Sequence, residues 1–420
     1  MPKTVCIVSP GNLASNPRLL KEADALHGAG YAVTAVVCDY TEELRGTDDE
    51  IAARVPWTVV RVPRPFGERV VTMASRRLAR LVDAAGGRIT PGLAGRAHGG
   101  PVSTLRRAAQ GIRADVYIAH YVAGLAAAAP VARRRGAMLG FDAEDFHSGE
   151  GTGGADEDFR MKLIETIERA ALPSCAYVTA AAPLIAKAYS DRYGITSTAV
   201  LNVFPLDMAP AAPSPGSAPG RPAELRAYWF SQTIGLDRGL QPFLQAMART
   251  KSRVRLDVRG GDQAGAGARL TALARSLDIA DRFSILPKAA PEEMVRLAAA
   301  YDIGLSLETD VSENRRVCLT NKIFTYLLAG VPVVMSDTPA QSALAPDLGV
   351  AAAVVPLNDP DAIAATLDRL GDTPGALTEA RGAAWRLGRE RYNWDREKSI
   401  LLEVVAAAFS RREREPACPR

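Results

Sequence analysis

Leu319 to Asp337 reads LTNKIFTYLLAGVPVVMSD, and the order of residue types in it decides the fold class. Thr320 and Asn321 are helix-capping types, Phe324 and Leu328 belong to the helix they open, and Gly330 is a helix stop. Val331 to Met335 then reads as a strand buried on both faces, as in a parallel sheet. A helix start leaves N–H groups unpaired and carries a partial positive charge, so the Thr320–Asn321–Lys322 corner is expected to hold an anion such as a diphosphate.

The same strand-then-helix rhythm extends in both directions. Upstream it predicts strands at Val5–Val8, Ala32–Cys38, Val116–Ala119, Met138–Phe141, Tyr177–Ala180 and Thr198–Leu201, with helices from about Pro17 to Gly28 and from Phe159 to Ala171. Pro205 to Pro222 breaks the pattern with six prolines among Ala, Ser and Gly. The rhythm then restarts at Ala227–Phe230, Arg255–Arg259, Phe283–Leu286 and Ile303–Leu307. The expected organisation is a Rossmann-like domain over 1–205, a linker over 206–223, a second such domain over 224–391, and a helix with a frayed tail over 392–420. Two doubly wound sheets facing each other would leave a cleft at the carboxyl ends of their strands.

Size and composition agree with this class. A chain of 420 residues exceeds one ordinary core. Hydrophobic residues at 47% and charged ones at 23% are globular values, and no apolar run reaches the roughly 18 residues of a membrane span. Met1-Pro2-Lys3-Thr4 leads into a short strand rather than a secretory leader, so a cytoplasmic location is expected. Five scattered cysteines and four dispersed histidines make neither a disulfide framework nor a metal motif. A net charge of +4 gives no reason to expect nucleic acid as a partner. Between Arg61 and Arg107, however, Arg76, Arg77, Arg80, Arg88, Arg96, Arg106 and Arg107 meet few acids. The stretch is open to an acidic acceptor, a membrane surface or water, and the shortage of aromatic residues favours water.

Several loops after predicted strands carry chemistry. Ser9 to Arg18 (SPGNLASNPR) has Gly11 for a close turn, Asn16 as a cap and Pro17 at the first helical position. It lacks the glycine spacing of a dinucleotide fingerprint. Arg238 and Gly239 precede a predicted helix, Gly260-Gly261-Asp262 follows a strand, and His120 ends another. Phe141 to Ser148 (FDAEDFHS) crowds Asp142, Glu144 and Asp145 behind a strand, as bases, hydrogen-bond acceptors or helix caps.

The run NKIFTYLLAGVPVV resembles the nucleotide-sugar-binding signature of family 4 glycosyltransferases of the GT-B fold. The resemblance implies a retaining transfer from a nucleoside-diphosphate sugar of the UDP or GDP type to a small-molecule, glycan or lipid acceptor. It implies no metal and no other cofactor, and a lipid acceptor would leave a peripheral membrane contact open. It places Thr320, Asn321 and Lys322 at the donor phosphates. The family's ribose-holding glutamate falls at Thr325, and its upstream partner near Val317. Trp229 to Leu240 resembles the element whose two basic residues clamp the diphosphate. Arg238 takes the second basic position, as a donor-binding and catalytic residue, and Gln232 takes the first. By the same resemblance Gly11, Arg18, Gly260 and Gly261 approach the donor. His120 touches the transferred sugar, and Asn16, Asp142, Glu144 and Asp145 lie near the acceptor. The departures at Thr325, Val317 and Gln232 keep a rare-donor transferase and a non-catalytic GT-B partner in view. A nucleotide-sugar 2-epimerase would share the fold and its phosphate contacts.

Overall fold

The computed structural model of the chain describes residues 2–64, 66–212, 224–262, 264–373 and 375–414. Of the expected linker, 213–223 lies outside the described residues, as does the tail beyond 414. The chain forms two compact units. Unit one comprises Met1–Val200, Ser312–Asn314 and Lys398–Arg420, and unit two comprises Leu201–Val311 and Arg315–Glu397.

Unit one is built on β1 (Thr4–Val8), β2 (Ala32–Asp39), β3 (Thr58–Pro63), β4 (Val116–His120), β5 (Met138–Asp142), β6 (Tyr177–Ala180) and β7 (Thr198–Ala199). They pair in the order β3-β2-β1-β4-β5-β6-β7, every pair parallel. β4 and β5 are buried along their whole length, as runs of VYIAH and MLGFD require. The helix after β1 spans Pro17–Gly28, set by Pro17 in its first turn and by the Asn16 side chain, which accepts the Leu19 N–H at 2.9 Å. The basic region, read only as a charged stretch, holds β3 and the helices Glu68–Ala84, Pro91–His98 and Val102–Gln110. Within unit one Phe409, on the Trp394–Arg414 helix, stacks on Tyr31 with ring centroids 5.6 Å apart.

Unit two repeats the plan with β8 (Glu224–Ile234), β9 (Arg253–Asp262), β10 (Phe283–Leu286), β11 (Ile303–Ser306), β12 (Val333–Ser336) and β13 (Ala352–Val355). Their order is β10-β9-β8-β11-β12-β13, again parallel throughout. Its core gathers Trp229, Phe243, Leu256, Ile303 and Leu305. The helix that decided the fold class runs Asn321–Leu328, with Gly330 at φ +71° behind it. The following strand starts at Val333 rather than Val331, because the Val331 N–H closes the helix end on the Tyr326 carbonyl and Pro332 has no N–H to give a ladder.

In both sheets the winding reverses beside the first strand, between β1 and β4 in unit one and between β8 and β11 in unit two. Ligands of such sheets bind beyond the strand ends at these reversals.

Candidate functional site

In unit two the loop after β8 and the loop after β11 bring charged side chains together. Arg238 ends the first loop, and Gly239, at φ +67° and nearly touching Leu307, turns the chain into the Leu240–Arg249 helix. Glu308, two residues past β11, is buried and takes Lys322 Nζ at 2.7 Å and Arg315 Nη1 in close contact. Arg238 Nη1 lies 3.9 Å from the same carboxylate. Burial alone would push the Glu308 carboxyl up, but Lys322, Arg315 and Arg238 outweigh it and hold it below the usual range. The Glu308 backbone is pinned to β12, its N–H donating to Ser336 Oγ and its carbonyl accepting from that hydroxyl. Thr309 Oγ1 donates to the Asp237 carbonyl and ties the two loops together.

Three cations thus share one carboxylate at the reversal point, leaving a net positive cluster. Arg238 Nε is enclosed and has no hydrogen-bond partner among the described residues, the more exposed Asp237 carboxylate lying 3.8 Å from it. A buried guanidinium N–H without an acceptor is costly unless an anionic group comes to it. Sequence reasoning reached Arg238 and Lys322 but missed Glu308 and Arg315. The available signal was a lone acid directly after the buried run IGLSL.

Other donor-side expectations change. Thr320 precedes the helix without capping it, and its hydroxyl pairs with Ser306 Oγ at 3.1 Å. Asn321 is exposed at the helix start. Thr325 is fully buried and its hydroxyl donates to the Asn321 carbonyl one turn back, so it offers no ribose contact. Gly260 and Gly261 belong to β9 rather than to a turn, and Lys288 occupies the space a Gly261 side chain would need. Gln232 is exposed where the β8–β9 register shifts.

In unit one the loops after β1, β4 and β5 converge, again at the reversal point. His120 is fully buried, with Nε2 2.6 Å from Glu22 Oε2 and Nδ1 3.0 Å from Glu144 Oε1. Burial opposes its charge, yet the hydrogen bonds to Glu144 and Glu22 prevail and lift the imidazole to about 10. Both nitrogens face carboxylate oxygens, the arrangement that favours the charged imidazole, and burial in turn raises the Glu22 carboxyl beside it. The expectation that His120 reaches a sugar is corrected, since neither nitrogen is left over.

Arg18 and Asp142 are corrected likewise. The buried Arg18 guanidinium grips Asp142 through Nε at 2.5 Å and Nη2 at 2.9 Å, and donates to the Val200 carbonyl at 2.8 Å. Thr179 Oγ1 adds a bond to Asp142 at 3.0 Å. A two-point pair of this kind is structural and closed to ligands. Asn16 uses its oxygen as the helix cap and donates its amide to Glu144 at 3.2 Å. Gly11 lends its carbonyl to the Cys38 N–H. Burial raises the Asp145 carboxyl, which accepts from Asn314 Nδ2 at 3.3 Å.

Glu144 keeps some exposure, 13% of its side chain, and Asp145 beside it is likewise only partly buried. Glu144 sits at φ +57°, and Tyr121, which donates to it at 3.3 Å, sits at φ +59°. Left-handed backbone at two neighbouring non-glycine residues is strain of the kind held at ligand sites. Glu22, His120 and Asp142 offer ligand atoms within 4.8 Å of one another. They do not suit a metal: the direct Glu22–His120 bond is shorter than the roughly 3 Å between two ligands of one ion, and Arg18 and Thr179 occupy Asp142.

Comparison with known proteins bears on both units. Residues 230–372 match the model of the family described as glycosyl transferases group 1, a span that includes Arg238, Glu308, Arg315 and Lys322. No curated protein sequence matches the chain. Among solved structures it resembles Anabaena HepE in complex with UDP and glucose, at 14% identity and a TM-score of 0.69 over 97% of this chain and 100% of that one. It also resembles the sucrose-phosphate synthase of Thermosynechococcus elongatus, at 13% and 0.68 over 98% and 100%. A UDP-forming trehalose-phosphate synthase from Burkholderia xenovorans is similar at 13% and 0.65 over 97% and 99%. The fold is thus GT-B, two Rossmann-like units with parallel sheets.

Proposed function

We propose that the chain is a retaining glycosyltransferase that takes a sugar from a nucleoside-diphosphate donor, of the UDP or GDP type, without a metal. The observation that carries this reading is the Arg238–Arg315–Lys322 cluster on Glu308, with Arg238 Nε still lacking an acceptor. A departing diphosphate needs fixed positive charge where a metal-dependent enzyme would use a cation, and guanidinium groups supply it with direction. The family match over this segment and the UDP held by the HepE structure support a nucleotide sugar.

In the proposed reaction the bond from the sugar's anomeric carbon to the β-phosphate oxygen breaks, and its electron pair stays on that oxygen. The acceptor's nucleophilic oxygen bonds to the same carbon on the same face, and its proton passes to the departing phosphate. Arg238, Arg315 and Lys322 balance the charge that grows on the leaving group. We assign Glu144 to the acceptor, as a hydrogen-bond partner that orients its hydroxyl, with His120 and Asn16 as positioning residues behind it.

Calorimetric titration with UDP and GDP tests the donor site. One of them should bind wild type, and Arg238→Ala should weaken that binding and cost on the order of 2–4 kcal/mol in transition-state stabilisation, read from kcat/KM. A wild-type protein that binds neither nucleotide, or an Arg238→Ala variant with unchanged binding and turnover, removes the reading. NMR of the product's anomeric proton decides retention.

A further inference from the structure

The Glu68–Ala84 helix of unit one is turned inside out. Ser75 and Ala79 form its buried contact, while Val70, Val71, Met73, Leu78 and Leu81 are between 51 and 69% exposed, and Phe66, just ahead of it, is fully exposed. At 3.6 residues per turn, Val70, Ala74, Leu78 and Leu81, with Val71, fall on one outward stripe. Arg69, Arg77 and Arg80 run beside that stripe. Arg80 pairs with Asp156, but Arg69, Arg77 and Arg88 form no ion pair or hydrogen bond among the described residues. Past the helix end lies a cavity of about 420 Å³, lined in part by Arg88, Lys162 and Arg169 with Asp83 as its acid.

A contiguous apolar stripe in water is unfavourable and marks a docking face. We propose that this face lies on an anionic phospholipid surface, with Phe66 and the stripe entering the boundary of the acyl region and the arginines meeting lipid phosphates. Charge complementarity selects this occupant. A second copy docked about a two-fold axis would set like arginine rows against each other, and the helix's acids cannot answer them, since Glu68 is turned inward and Asp83 holds Lys162. Seventeen residues lying flat extend about 25 Å, which suits an interfacial helix. Among the described residues no helix is long and apolar enough to cross a membrane. The inference stands apart from the donor site in unit two.

Flotation of the full chain with vesicles of phosphatidylcholine alone, or of phosphatidylcholine with phosphatidylglycerol, is the test. Binding should require phosphatidylglycerol and weaken with salt. The double variant Val70→Glu with Leu81→Glu should lose it, and Arg69→Glu with Arg77→Glu should reduce it at least about tenfold. Both variants should keep the wild-type melting temperature, because the altered side chains are exposed. Absence of flotation with phosphatidylglycerol vesicles overturns the proposal, and so does equal binding to neutral vesicles. A concentration-dependent dimer in sedimentation velocity that Leu81→Glu dissociates would assign the stripe to a second copy instead.

Discussion

Thr325 shows how a single buried hydroxyl constrains what a position can do. Its bond to the Asn321 carbonyl satisfies it inside the helix, with no route to solvent. Thr325→Glu would bury a carboxylate without a partner and should lower the unfolding free energy by about 3–5 kcal/mol. Thr325→Val, which keeps the shape and removes only a local hydroxyl bond, should cost about 1 kcal/mol or less. Urea unfolding of the two variants checks this, and a wild-type midpoint for Thr325→Glu would mean that the side chain can reach water. The same residue marks the limit of reading a site from sequence. Lys322 could be singled out because it sits at a helix start, and Arg238 because the loop that carries it resembles a diphosphate-clamping element. Glu308 owes its role to three partners at distant sequence positions. His120, Arg18 and Asp142 could be seen as charged and strand-adjacent, but not as already satisfied by one another.

At the scale of elements, the helices Asn321–Leu328 and Ala376–Glu390 cross at Gly388. A Cβ there would stand 2.4 Å from the Leu327 carbonyl oxygen and 2.6 Å from the Leu328 Cα, both backbone atoms that cannot rotate away. Gly388→Ala should therefore force the helices apart and cost about 1–3 kcal/mol, net of the better helix propensity of alanine. A melting temperature at or above wild type would show that the crossing is slack. Elements whose limits are set locally were legible. Asn16 and Pro17 fix one end of the Pro17–Gly28 helix, and Phe283–Leu286 is bounded by Asp281 and Arg282 before it and Pro287 after it. The Glu68–Ala84 helix was not legible, because its apolar stripe faces outward and its core contact is made by Ser75 and Ala79. A pattern of that kind reads as a charged surface run rather than a packed helix.

Across the whole molecule, protonation links the interior to pH. His120 is lifted to about 10 and His147 to about 9, burial opposing both shifts and bonds to Glu144 and Glu22, or to Glu150, overriding it. A histidine whose folded value is raised contributes stability that is complete below its ordinary value near 6.5 and disappears as pH climbs through the folded value. Lys21 acts in the opposite sense, its burial holding the ammonium down to about 7, so total stability mixes these effects. The difference between wild type and His120→Gln isolates one of them. That difference should shrink between about pH 7 and 10 by up to about 1.4 kcal/mol per unit, measured by denaturant titration at fixed ionic strength. A difference independent of pH would mean that His120 is neutral in the fold. In unit two the corresponding design is Glu308, a permanent anion among three cations. On the donor reading, an arriving diphosphate does not gain these cations outright but takes a share of them from a resident competitor. Affinity is thereby held down, and a spent nucleotide leaves behind charges that already have a counterpart, which favours short residence and rapid turnover over tight capture.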